Sequence, residues 1–370
     1  MKSKLYIFLL VLITLLIIMT ACGFNNEQQS QPADMGTNKQ EEKTDDTLSD
    51  KEMEEEIKNI EEEYKNDSQS KEESNLSNNY TASSPFTGLP ITKNYYKRAV
   101  AVSIENSPAA RPQSGLNKAE IVYEFMLEGG ITRFLALFWP EVPNKVGPIR
   151  SARPALIKTA NSYDALFLPA GASPDGFALL SNKNILHLDQ IYQSKYFWRS
   201  SKKNAPHNLY SGSPSLKDYL NQMGEKEYPE QFNFLTASIV SDFKKAENIS
   251  IDYWGSYEVL YEYNSLENNY SRFLNKKSNP HQVESGKNIK VKNIIVQYSN
   301  YSTKDSQGRQ KIDLSSGGNI KLFRDGLVIE GSWENNNGKI NYYNSEGNRI
   351  SINPGKTWIQ VVPSSTELSY

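Results

Sequence analysis

The 370-residue chain holds one cysteine, Cys22, and three histidines, His187, His207 and His281. A single cysteine excludes any disulfide within the chain, so stability must come from buried cores. It also excludes zinc sites built from cysteine, and the widely spaced histidines offer no short metal-ligand pattern. Neither a metal nor a cofactor is expected. Long apolar runs are scarce too. After residue 19 no stretch matches the roughly 20 apolar residues that a membrane-spanning helix needs. Motifs of nucleic-acid binding are missing, so no nucleic-acid partner is expected.

What is present begins at the N-terminus. Lys2 and Lys4 precede an apolar run over residues 5–19, followed by Thr20, Ala21 and Cys22. The run is short for a span and fits the apolar part of a secretion signal. A signal ending at a cysteine reads as that of a bacterial lipoprotein. Residues 1–21 would be removed, and the Cys22 thiol would carry acyl chains of the palmitate type. Two such chains meet the requirement that stable anchoring takes two signals. Met19 stands where leucine is commonest. The expected location is the extracytoplasmic face of the cell membrane, with everything after Cys22 on one side.

Residues 22–84 read as a tether. Between positions 26 and 84 there are 17 acidic and 6 basic side chains and few apolar ones. Such a stretch cannot bury enough apolar surface to offset its ordering entropy. A flexible chain of this length reaches about 45 Å, and further if its charge extends it. Ser49 and Glu52 form a capping-box pattern, and Met53, Ile57, Ile60 and Tyr64 fall on one helical stripe. Two heptads are too few for a coiled coil, which leaves a transient helix as the expectation and a pairing partner as the alternative. Because the whole chain carries a formal charge of −2, the remainder is basic. A basic module on an acidic leash suits anionic envelope polymers.

Folded sequence is expected from residue 85, as two consecutive domains of α+β class. In the first, residues 85–228, strand-like runs at 98–105, 134–139 and 165–169 alternate with helical composition at 151–162. Residues 118–127 suit either a helix or a strand. A mixed α/β layer is the expectation. In the second, residues 229–370, short runs at 291–298, 319–323, 327–333, 339–343, 349–352 and 357–362 are separated by turns such as Asp325-Gly326. That pattern predicts a β-rich domain: an antiparallel sheet, sandwich or barrel. A helix is expected near 238–247.

Polar residues gather in four places. They are Glu105 and Asn106 with Arg111; Glu128 with Thr132 and Arg133; Arg150, Ser151 and Arg153; and Arg199 with His207 and Asn208. These segments, together with 170–173 and the tryptophan segments around Trp333 and Trp358, resemble the YerB family of bacterial lipoproteins. The resemblance covers nearly everything after Pro85, as two consecutive domains of unknown function. It implies a membrane-anchored, extracytoplasmic protein and supplies no reaction. Two positions depart from the family pattern. Ser200 and Val283 stand where acidic residues are common, so no role of those acids carries over.

The residues themselves support two chemistries. Arg133, Arg150 and Arg153 are planar, permanently cationic forks suited to phosphate or carboxylate. With Glu105, Asn106, Arg111, Thr132, Ser151 and Asn208 they could line an anion-binding cleft. Alternatively, they brace the domain by pairing with Glu105, Glu124 and Glu128. His207 is the residue suited to proton transfer near neutrality, with Glu128 as partner or second acid/base. Such a pair fits hydrolysis or lysis of a wall polymer. His187 and His281 lack comparable polar neighbours in sequence. Ser173 is not in a nucleophile elbow, since Asp175 stands where the second glycine belongs. Trp254, Trp333 and Trp358 suit sheet faces and sugar stacking alike. Three roles follow: an envelope binding or accessory protein whose partner is an anionic wall polymer or envelope protein, a wall-polymer hydrolase or lyase, or a scaffold without a cleft. A binding or catalytic role predicts one cavity lined by Glu128, Arg150, Arg153 and His207.

Overall fold

A computed structural model describes residues 80–92, 98–224, 226–228, 231–235, 243–253 and 257–370. The expected signal, Cys22, the stripe at 53–64 and Trp254 lie outside them. Every described residue belongs to one compact unit within residues 69–370.

The strands used below are β1 (Val100–Glu105), β2 (Ile121–Glu128), β3 (Ile131–Phe138), β4 (Leu166–Leu168), β5 (Asn248–Asp252), β6 (Glu258–Asn264), β7 (Asn269–Leu274), β8 (Lys276–Pro280), β9 (Lys290–Val291), β10 (Asn293–Ser299), β11 (Gly318–Arg324), β12 (Leu327–Asn336), β13 (Lys339–Asn344), β14 (Thr357–Pro363) and β15 (Glu367–Ser369). The α-helices among the described residues are α1 (Pro154–Ser162), α2 (Pro174–Leu180) and α3 (Ser213–Gln222).

Nine strands form one sheet in the order β13-β12-β11-β10-β14-β2-β3-β1-β4. Its centre is β14, which lies parallel to β10 on one side and to β2 on the other. The last long strand of the chain is thereby seated between the two halves, and the expected boundary at 228/229 does not separate two sheets. β14 (TWIQVVP) and β2 (IVYEFMLE) are rich in β-branched and aromatic residues, and nearly all their positions are buried. Strands covered on both faces read as continuous apolar runs for this reason. A second sheet, β8-β7-β6-β5-β15, has β9 paired to β7.

The C-terminal half is β-rich, as its turns indicated. Asp325 and Gly326 both take positive φ (56° and 71°) in the turn joining β11 to β12, the geometry that right-twisted hairpins favour. The N-terminal half carries all three helices, yet β1, β2 and β3 pair antiparallel and only β1–β4 is parallel. It is therefore not a layer of βαβ crossovers. Of residues 118–127, the part from 121 onward is a strand, β2. Residues 243–247 of the helix expected near 238–247 are non-helical, and the backbone at Lys245 bridges Leu327. The rest of that segment lies outside the described residues.

Side-chain alternation along β2 sorts the core. Val122 and Met126 pack with Ile249, Ile251, Val259, Tyr261 and Tyr270, in a core shared with the second sheet. Tyr123, Phe125 and Leu127 pack instead with Leu156, Ile157 and Ala160 of α1. The large sheet thus has the second sheet and α3, through Leu216 and Leu220, on one face and α1 on the other. Glu124 faces the strands, whereas Glu105 and Arg133, cross-strand partners on β1 and β3, are on the helix side.

Candidate functional site

Where β1 ends, the chain sends Glu105 to one face and Asn106 to the other. Two charged clusters result, one open and one sealed.

The open cluster is built on Glu105. The segment after Gly147 runs beside β1, because Glu105 N–H donates to Pro148 O (2.9 Å) and Arg150 N–H to Ser103 O (2.9 Å). Ile149 N–H in turn donates to Leu209 O at 2.7 Å, which brings the His207 loop alongside Arg150. The Glu105 carboxylate is largely buried. It takes the His207 Nδ1 hydrogen at 3.0 Å from both oxygens, a hydrogen bond from Ser107 Oγ at 2.9 Å, and an ion pair from Arg150 Nε at 3.4 Å. An ionised carboxylate only accepts, so Nδ1 carries the hydrogen. The Nε2 of a neutral His207 is then an open base, and that of an imidazolium is a donor. Among the described residues nothing hydrogen-bonds His207 Nε2 or the two terminal nitrogens of Arg150. The Arg150 and His207 side chains are 31% and 26% exposed. One buried carboxylate thus holds two side chains by their inner nitrogens and leaves their outer ones to solvent.

Arg133 and Arg153 are placed differently. Arg133 Nη2 and Arg153 Nη2 grip opposite oxygens of Glu128 at 2.8 and 2.5 Å. Their other Nη atoms donate to the carbonyls of Ser151 (2.6 Å) and Ala152 (2.9 Å). Both guanidinia are spent on tying β2 and β3 to the entry of α1. Burial and the neighbouring Arg153 cation lower the Arg133 pKa to about 10, which still leaves it charged at neutrality. Burial pushes the Glu128 carboxyl up, but the Arg133 and Arg153 cations outweigh it and hold Glu128 below the ordinary value. A carboxyl so held is ionised at neutral pH and is poorly placed to act as a general acid or base there. His207 has Glu105 as its partner, not Glu128.

The sealed cluster lies on the opposite face. Glu124 accepts from Thr132 Oγ1 and Tyr257 OH at Oε1 (both 2.8 Å), and from Arg272 Nη2 (2.7 Å) and Trp358 Nε1 (3.1 Å) at Oε2. Glu124 and Arg272 are wholly buried. Arg272 Nη1 donates to His281 Nδ1, and His281 Nε2 donates to Gln113 Oε1 at 2.9 Å. Burial, Arg272 and Arg111 drive the His281 pKa well down, so the ring is neutral. Burial opposes the Arg272 charge, yet Glu124, Tyr257 and Tyr261 hold its pKa above the arginine norm. Asn106 Nδ2 donates to Thr132 Oγ1 and Tyr257 OH, each at 2.7 Å. Arg111 Nε reaches Asn106 Oδ1 (3.1 Å), and its guanidinium lies 5.2 Å from the Tyr257 ring centre. Four donors saturate Glu124, which leaves it no catalytic lone pair.

Sequence reasoning grouped these residues as one set; the structure separates them. Glu105, Arg150 and His207 form the open clamp. Glu128, Arg133, Ser151 and Arg153 form a brace, and Asn106, Arg111 and Thr132 belong to the sealed network. Asn208 is buried and ties Arg199 (2.8 Å) to the carbonyl of Ser200 (3.1 Å) across a hairpin turn. Three concavities among the described residues, of about 640–830 Å³, are lined by other residues, and none of the three is the expected cavity shared by Glu128, Arg150, Arg153 and His207. His281 does have polar neighbours, contrary to its sequence context. Arg272 was missed, and Glu124, expected as a partner of Arg133, Arg150 or Arg153, pairs with Arg272 instead; a charge at an inward position of an alternating strand was a usable signal. Ser173 caps α2, accepting from Gly176 N–H (3.3 Å) and donating to Asp175 (2.6 Å). Trp333 and Trp358 are 1% exposed, which removes both from sugar stacking. Among the described residues no cluster of three or more His, Cys, Asp or Glu converges as a metal would need.

Comparison with known proteins defines the class. Residues 86–226 match the N-terminal domain, and residues 249–359 the C-terminal domain, of the proteins of unknown function DUF3048. The chain belongs to this family. It is 37% identical over 290 residues to the "Putative lipoprotein YerB" of Bacillus subtilis (strain 168), across 75% of this chain and 86% of that one. The crystal structure of the Bacillus subtilis YerB protein is similar in fold, with a TM-score of 0.70 at 34% identity, covering 78% of this chain and all of that one. Among the described residues no helix is long and apolar enough to cross a membrane.

Proposed function

We propose that the protein is an envelope lipoprotein, held at the extracytoplasmic face of the membrane by lipid on Cys22, that binds an anionic group of a wall polymer or of another envelope protein. One observation carries the reading. Arg150 and His207 are fixed by a single buried carboxylate and present unengaged nitrogens to solvent. A planar fork beside an imidazole matches phosphate or carboxylate oxygens. Preorganisation by Glu105 lowers the ordering cost of binding. The acidic leash supplies reach.

The test is retention of the purified protein on anionic wall material. Arg150→Gln should weaken retention about tenfold or more, since charge-assisted hydrogen bonds are worth about 1.5–3 kcal/mol. Its urea midpoint should be unchanged, because Arg150 is partly exposed with one long ion pair. Retention of Arg150→Gln equal to the parent refutes the clamp.

A second reading, hydrolysis or lysis of a wall polymer, draws on the Glu105–His207 pair. A carboxylate orienting Nδ1 leaves Nε2 as a general base for water or a sugar hydroxyl. Release of soluble fragments from wall material, abolished in His207→Gln, would support it. No release from any wall fraction sinks it.

A further inference from the structure

A groove of about 710 Å³ lies between α1, the hairpin spanning residues 301–312 and the turn joining β12 to β13. It shares no residue with the clamp. Lys158 enters from α1, Lys311 from the hairpin, and Lys339 from the start of β13. All three are exposed, and among the described residues none has an ion-pair partner. The acidic residue of the groove, Asp313, is turned onto its own loop. Its Oδ1 accepts from Ser315 N–H (2.8 Å) and Ser315 Oγ (2.6 Å), and its Oδ2 accepts from Ser316 Oγ (2.5 Å). Those hydrogen bonds lower its pKa to about 2. It therefore neutralises no lysine directly, and the groove is cationic.

The walls are of two kinds. Ile312, Leu314 and Ile340 supply apolar surface. Asn161, Asn300 and Asn337 supply exposed amides. Thr159 sits on the α1 side, 3% exposed, with its hydroxyl buried and unpartnered. A helical threonine ordinarily returns its hydroxyl to the carbonyl one turn back. A buried hydroxyl without a partner is costly unless a bound group satisfies it. Apolar patches between hydrogen-bonding amides match the faces and edges of sugar rings, and unpaired lysines match acidic substituents. A neutral glycan would leave the three ammonium groups unused, and an apolar peptide would leave the amides unpaired.

We infer that this groove is a binding site for an anionic glycan, separate from the Arg150–His207 clamp, in which Lys158, Lys311 and Lys339 contact acidic substituents and Thr159 donates from the wall. The acidic substituent is phosphate or carboxylate.

The experiment uses the purified protein and three immobilised glycans: polygalacturonate, a phosphomannan and neutral dextran. The parent should bind at least one anionic glycan and leave dextran in solution; which one is retained assigns the substituent. Lys158→Gln, Lys311→Gln and Lys339→Gln combined should cost about tenfold or more in affinity, since each exposed charge contact is modest on its own. Thr159→Val should weaken binding further, and circular dichroism and the urea midpoint should show the lysine variant folded. Equal binding by the lysine variant and the parent, or equal retention on dextran and both anionic glycans, overturns the inference. Arg150→Gln separates the two sites. Binding lost in Arg150→Gln but kept in the lysine variant leaves the clamp standing and removes the groove; the converse removes the clamp alone.

Discussion

Glu120 offers a test of the structure that owes nothing to any ligand. It precedes β2, where Oε2 accepts from Ser84 Oγ (2.8 Å) and Oε1 from Thr87 Oγ1 (3.2 Å). Burial pushes its carboxyl up to about 7, against the opposing pull of Ser84, Thr87 and Lys356. The folded state therefore holds a proton that the unfolded chain gives up near its ordinary value. Stability from this group is fully present below that ordinary value and is lost as pH rises through about 7. The whole effect is at most about 3 kcal/mol. Glu120 keeps some exposure, and screening by water reduces this to about 2 kcal/mol. Glu120→Gln keeps the shape and removes the titration, while the Ser84 and Thr87 hydroxyls can turn to accept from the amide. Urea unfolding of parent and variant at pH 5, 6, 7 and 8 gives a difference in which other titrating groups cancel. The parent should lose about 2 kcal/mol relative to Glu120→Gln between pH 5 and 8. A difference that stays constant, or one in which the parent gains with pH, refutes the buried-carboxyl account.

Two further outcomes are expected. Arg272→Met should destabilise the protein by about 3–5 kcal/mol in urea unfolding, because it leaves the Glu124 carboxylate buried without its cation, and adding Glu124→Gln should recover a substantial part. Cys22→Ser should move the protein from the membrane to the soluble fraction and abolish labelling by palmitate, since the remaining attachment would lack any acyl chain.

The parts of the fold legible in sequence were those written locally. The runs at 291–298, 319–323, 327–333 and 357–362 became strands β10, β11, β12 and β14 because period-2 patterning and Asp-Gly turns act over a few residues. Pairing order is not local. Nothing near residue 357 announces that β14 will lie between β10 and β2, since parallel neighbours need no connecting turn. The site divided along the same line. Arg150 and His207 were recognisable from residue type, but the partner of His207 was not. Glu105 is 102 residues away from it in sequence, while Glu128 looked equally available. Arg272 is 148 residues from Glu124, and only its inward register among Tyr270 and Leu274, both buried, hinted at a buried partner.

The sealed network and the open clamp answer different physical demands, and the end of β1 joins them. A buried ion pair such as Glu124–Arg272 contributes little net stability, because desolvation offsets most of the attraction. What it does fix is position. Its partners come from β2, β3, β7, the segment before β6, and β14, so those elements can be satisfied together in one register only. Asn106 and Gln113 extend that constraint to the backbone of β1: Gln113 Nε2 donates to Glu105 O (3.1 Å) and to Asn106 Oδ1 (3.2 Å). The residue so anchored carries the clamp carboxylate on its other side. Positioning of Arg150 and His207 therefore passes through Glu105 to a core that cannot shift without orphaning several buried polar groups. A rigid mount of this kind fixes where Arg150 and His207 stand relative to Glu105.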